Sequence, residues 1–149
     1  MKPKLLYHGS PSKIKGEKLL PKKARDLGNR KENIQTGVYA TDIKEIAITM
    51  ALISCKGVKK SSLLKYVPDK PLAIIYEGWP EKSFIYLYTL HSENFKKTGK
   101  IKSQWITDKP IKPLKIERLK VSKYLSLIRK TSKKEIDEWN KKFKTNPIQ

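Results

Sequence analysis

The stretch Ile43–Leu52 constrains the fold of this chain more than any other. Ile43, Ile46, Ala47, Met50 and Ala51 recur at i, i+3, i+4, i+7 and i+8, the stripe of an α-helix, and Ile48 and Leu52 widen it. A helix apolar over so much of its circumference must be covered on several sides. Asp42 reads as its N-cap with Glu45 three residues on, a capping box, and the helix is expected to end before Gly57. The covering layers have to come from the short apolar runs around it.

Those runs read as strands. Leu5-Leu6-Tyr7 ends at Gly9-Ser10-Pro11, and Gly37-Val38-Tyr39-Ala40-Thr41 leads directly into the helix. Residues 11–36 between them lack periodicity, a length that suggests a ligand-covering loop. Leu72–Tyr76 and Phe84–Tyr88 flank the turn-like residues 77–83 and are expected to pair as a hairpin. After the polar residues 91–103, Gln104–Thr107 and Pro113–Leu119 read as further strands. Ser122–Arg129 is weakly helical, and Ser132 with Glu135 forms a second capping box opening a polar helix through about Phe143. Strands, one central helix, more strands and C-terminal helices give an α+β class with no βαβ alternation. We expect a single domain over residues 1–149, a core over about 1–120 and a C-terminal helical extension over 121–149.

Composition narrows the chemistry. The 149 residues hold one cysteine, Cys55, and two histidines, His8 and His91, which excludes a disulfide framework and a thiolate or histidine-rich metal site. Cys55 closes the helix and reads as a small buried apolar residue, while His91 opens a polar loop and is expected to face solvent. No run approaches a membrane span, and the polar N-terminus is unlike a secretory signal, so we expect a cytoplasmic protein without a membrane partner. The formal net charge is +20. Residues 1–75 carry 16 Lys/Arg against 6 Asp/Glu and residues 76–149 carry 18 against 8, so each half is +10 and there is no basic tail. Thirty of the 34 cations are Lys. Arg is the preferred residue for bidentate phosphate and base contacts, so this charge fits composition bias as well as a nucleic-acid face.

Three short segments could carry chemistry. In Tyr7-His8-Gly9-Ser10, a strand-end imidazole is followed by a glycine, beside which a ligand can approach backbone closely. In Gly37-Val38-Tyr39-Ala40-Thr41-Asp42, Tyr39 offers a flat stacking surface if it faces the same cleft. Ser103-Gln104-Trp105-Ile106 opens a strand with a polar side chain. Taken singly, each suits an ordinary structural role: a turn glycine beside a polar strand end, a core aromatic, a strand start.

In this order and spacing the three resemble the ADP-ribosyltransferase fold, the group of the poly(ADP-ribose) polymerase catalytic domains, the diphtheria-toxin-like transferases and, more distantly, the RNA 2′-phosphotransferases. The resemblance spans about residues 5–118. It implies two small antiparallel sheets split around a buried helix, with NAD bound between them as substrate. It further implies that His8 bonds a ribose hydroxyl, the Gly9 backbone holds the nicotinamide carboxamide, Ser10 supports that contact and Tyr39 stacks on the nicotinamide ring. The third motif position in such enzymes is usually a Glu that stabilises the oxocarbenium-like centre formed as nicotinamide departs. Gln104 occupies it here and carries no charge; Glu77, Glu93 and Glu117 are the nearby carboxylates, none opening a strand. Arg25 and Arg30 lie in the covering loop, where either could meet the pyrophosphate or simply be solvated. Trp79, Trp105 and Trp139 could stack on bases, though core positions suit three Trp better. The implied activity is mono-ADP-ribosyl transfer to a nucleic acid or protein acceptor. The competing expectation is a non-catalytic basic nucleic-acid-binding protein; phosphate removal from RNA is a weaker one, because Arg is scarce.

Overall fold

The computed structural model describes residues 2–23, 36–144 and 147–148. In chain order the strands are β1 (Leu5–Ser10), β2 (Lys22–Lys23), β3 (Thr36–Thr41), then helix α1 (Lys44–Ile53), β4 (Val58–Leu63), β5 (Ala73–Gly78), β6 (Phe84–His91), β7 (Lys96–Lys97), β8 (Gln104–Thr107), β9 (Lys115–Lys120), β10 (Ile128–Lys130) and helix α2 (Lys133–Lys142). The larger sheet runs β7-β8-β3-β1-β6-β9 with β2 added to β3, and the smaller runs β10-β5-β4. Among the described residues, every strand pairing is antiparallel except β10 with β5. The class is α+β, as the alternation of strands around one apolar helix requires.

The two faces of the large sheet bury different cores. Side chains alternate along each strand, so Tyr7, Gly9, Ile85 and Leu87 lie toward α1, where Ala47, Ala51 and Leu52 are fully buried. Leu6, Tyr88, Leu90, Val38, Ala40 and Trp105 lie on the reverse face and pack with Leu19 and Phe95. Leu19 exchanges backbone bonds with Ile111 (2.8 and 3.0 Å), so part of the segment after β1 crosses this reverse face.

Several sequence expectations change. Helix α1 has Ile43 as its N-cap with no side-chain cap; Thr41 Oγ1 accepts the Ile43 N–H at 3.0 Å, so the strand-end threonine replaces Asp42 in the local bond. The Lys/Ser-rich stretch after α1 is strand β4, whose cations stay at the sheet edge, Lys60 pairing with Glu77 at 3.2 Å. β5 and β6 do not form a hairpin. Gly78 turns at φ 85°, a left-handed conformation glycine adopts without strain, and the chain leaves one sheet for the other. Residues 121–127 make two 3-10 turns, and β10 then lies parallel to β5, so the C-terminal segment completes the small sheet before α2 begins. The Ser132–Glu135 capping box is present as expected, and bidentate Arg129 anchors Glu135 at 2.7 and 2.8 Å. No helix among the described residues is long and apolar enough to cross a membrane.

Candidate functional site

The three motif segments lie on neighbouring strands. β3 pairs with β8 at four positions, including Tyr39 opposite Ile106 and Thr41 opposite Gln104. β1 pairs with β6 at six positions but with β3 at one alone, Tyr7 opposite Thr41. The ladder between β1 and β3 therefore stops where His8 begins. At that point His8 Nδ1 lies 2.6 Å from the Tyr39 carbonyl oxygen. A carbonyl can only accept, so Nδ1 carries the proton and donates. Burial lowers the His8 pKa below its ordinary value and the nearby Lys22 ammonium lowers it further, against the Tyr39 bond, which raises it. The ring is neutral at pH 7, and its Nε2 is left as a hydrogen-bond acceptor. Tyr88, opposite His8 on β6, stands beside it with ring centroids 6.0 Å apart.

Alternation assigns sides to the other residues. Tyr7 and Thr41 share the α1 side, which puts Tyr39 and Gln104 there too and directs His8 to the reverse side. The imidazole and the Tyr39 ring thus approach the gap between β1 and β3 from opposite faces, joined through the Tyr39 carbonyl. They do not meet on a single face, as the shared-cleft expectation had it. Gln104 is half-buried, and its Oε1 accepts from Thr98 Oγ1 at 3.0 Å, leaving the amide NH2 to donate. Lys44 Nζ lies 5.7 Å from the Tyr7 ring centroid, adding a cation on the α1 side of the gap.

Gly9 has a different reason to be glycine from the one its sequence context suggests. A Cβ built on it would overlap the Ala47 carbonyl oxygen and stand 3.1 Å from Ala51 Cβ. The space a side chain would need is taken by α1, so the absence of Cβ serves helix packing rather than an approaching ligand. Ser10 is also committed locally: its Oγ donates to Ser12 O at 2.9 Å and accepts from Ser12 N at 3.3 Å. Arg25 and Arg30 lie outside the described residues. His91 is exposed, with Nδ1 accepting from Glu93 N at 3.2 Å. Cys55 is buried, and that burial pushes its thiol pKa up. Trp105 and Trp139 are core residues, whereas Trp79 is only half-buried.

Sequence reasoning missed Lys22, Lys44, Tyr88 and Thr98 as neighbours of the gap. Lys22 and Lys44 are two among thirty lysines, and nothing local separates them from the rest. Tyr88 could have been found from the alternation of β6 once its register with β1 was known. No group of three or more His, Cys, Asp or Glu side chains suited to a metal occurs among the described residues.

The comparisons with known proteins add no relative: no protein family, curated protein or solved structure matches the chain.

Proposed function

We propose that this chain is an ADP-ribosyltransferase-like protein that binds NAD at the gap between β1 and β3 and transfers single ADP-ribosyl groups to a nucleic acid or protein acceptor. The observation that carries the reading is the His8 imidazole, fixed as its Nδ1–H tautomer by the Tyr39 carbonyl where the β1–β3 ladder ends. Its Nε2 accepts a ribose hydroxyl. The strand order sets the His8, Tyr39 and Gln104 segments on the three adjacent strands β1, β3 and β8, with His8 alone on the reverse face, so the reading rests on His8 and the Tyr39 carbonyl. NAD supplies the ADP-ribosyl group; the bond from ribose C1′ to nicotinamide breaks, the acceptor nucleophile bonds to C1′, and the acceptor gives up its proton.

Gln104 faces the α1 side, opposite the side His8 faces, and its Oε1 is held by Thr98, so no carboxylate beside His8 opposes the positive charge that develops at C1′. Transfer is then slow. Calorimetry with NAD tests this reading: the wild type binds at millimolar ligand or tighter, His8→Ala weakens it, and Tyr39→Ala, on the other face of the sheet, changes it less. A wild type with no heat of NAD binding at millimolar ligand ends the proposal.

A further inference from the structure

Away from the His8 gap, the adjoining ends of β6 and β9 carry a surface that the NAD reading leaves unused. Phe84 pairs with Lys120 and Tyr86 with Arg118, so these four side chains share one face of the sheet. The Arg118 guanidinium lies 4.2 Å from the Phe84 ring centroid. Beside them, Trp79, Lys82, Phe84, Lys120 and Leu125 help to line a cavity of about 410 Å³, none of whose lining residues is acidic. Lys130 Nζ stands 5.7 Å from the Trp79 ring centroid, a second cation against a second aromatic. Phe84 and Trp79 are half-buried, while Arg118, Lys120 and Lys130 are exposed. Glu117, the acid nearest in sequence to Arg118, alternates to the other face and meets Lys115 at 3.7 Å.

We propose that this surface binds a single-stranded nucleic acid, with bases stacked on Phe84, Trp79 and the Arg118 plane and phosphates held by Arg118, Lys120 and Lys130. Charge complementarity calls for a polyanion, and the aromatic rings select which one. A nucleobase offers a π-face to a ring or a guanidinium, whereas an acidic peptide would engage the cations and leave the rings without a stacking partner. The cavity falls in the size range that takes one nucleotide-sized group. Arg118 and Lys120 stand two residues apart on one strand, about 7 Å, a step that a sugar-phosphate chain can follow. Lysines also sit against Tyr7, Trp105 and Phe143; what sets this surface apart is that two such pairs, Arg118 with Phe84 and Lys130 with Trp79, border one cavity. The inference rests on this surface alone and holds whether or not NAD binds at the β1–β3 gap.

Fluorescence anisotropy with the full chain tests it, using labelled oligo(U) and oligo(dT) of about 12 nucleotides. Binding of both marks a site blind to the sugar, and a preference for oligo(U) assigns RNA as the ligand; either supports the proposal. Arg118→Ala/Lys120→Ala is expected to weaken binding roughly tenfold and to flatten the slope of log affinity against log salt by about 1.4. Phe84→Leu, which keeps an apolar side chain but removes the stacking ring, is expected to weaken it roughly fivefold. The control pair Lys96→Ala/Lys100→Ala removes the same charge beside the opposite sheet edge and is expected to change affinity less than about twofold. The exposed Arg118/Lys120 pair keeps the test valid if Phe84→Leu fails to fold. Equal loss in the two lysine-containing pairs, displacement by poly-glutamate at equal charge, or duplex DNA binding as tightly as the single strands would overturn the proposal. Calorimetry of the Arg118→Ala/Lys120→Ala variant with NAD separates the two sites, since its NAD affinity is expected to be unchanged.

Discussion

On one face of β1, α1 sits so close that Gly9 has no room for a methyl group; along the edge toward β3, the same strand gives up its ladder after one pair. Two consecutive residues therefore do unlike work. Gly9 is fixed by architecture, because the Ala47 carbonyl fills the volume its side chain would need. The His8 side chain is held by a single directional bond to the Tyr39 carbonyl, where the β1–β3 ladder has stopped while the β1–β6 ladder continues. Close packing tolerates no added atom, whereas the imidazole is held through Nδ1 alone. The contrast teaches that a motif read as one unit, His-Gly, divides between close packing at Gly9 and a single directional bond at His8.

The strongest way to break the contrast is Gly9→Ala. Forcing a methyl into the α1 backbone is expected to cost about 3 kcal/mol or more, read as a lower urea midpoint or a failure to fold. A change below about 0.5 kcal/mol would mean that the helix is not seated as described. His8→Ala comes next, with NAD affinity expected to fall at least about tenfold, or about 1.4 kcal/mol, while stability changes less than in Gly9→Ala. If instead the two substitutions act alike on stability and on NAD, the division of labour fails.

The His8 environment also sharpens the comparison through pH. Its folded pKa is depressed, by burial first and then by Lys22, so the unfolded chain binds the proton more readily. The stability that the neutral ring contributes is present above the ordinary value of 6.5 and is lost as pH falls below it. Thermal unfolding of wild type and His8→Gln at pH 7.5 and 5.5 (about one unit either side of an ordinary imidazole) should show a smaller acid-side loss in the variant. The smallest effect is expected at α2. Arg129 holds the Glu135 carboxyl down to about 2, so this pair stabilises above the ordinary 4.5 and is lost as pH falls toward 2. Because Arg129 is 40% exposed, Glu135→Gln should cost only about 1 kcal/mol at pH 7, capping included.

What was legible in the sequence was local. The stripe from Ile43 to Leu52, the apolar runs of β3, β6 and β8 and the Ser132–Glu135 box each encode their conformation within a few residues. What was not legible depended on distant partners. Strand β4, with the sequence VKKSSL, has no apolar alternation because it is an edge strand, and only β5 reveals it. The break between β5 and β6 hinged on the conformation of Gly78, and β10 found β5 across more than fifty residues of chain. At the candidate site, the order of His8, Tyr39 and Gln104 could be read. The partner of His8 could not, because it is a backbone carbonyl that every residue possesses, and the reason for Gly9 lay in a helix almost forty residues away.

The most direct test of the account is a nitrogen-15 NMR titration of the His8 imidazole with NAD. The free ring should be neutral and protonated at Nδ1, with the Nε2 resonance moving as NAD is added at neutral pH while Nδ1 keeps its proton. A ring protonated at Nε2 in the free protein, or an Nε2 resonance unmoved at millimolar NAD, would contradict it.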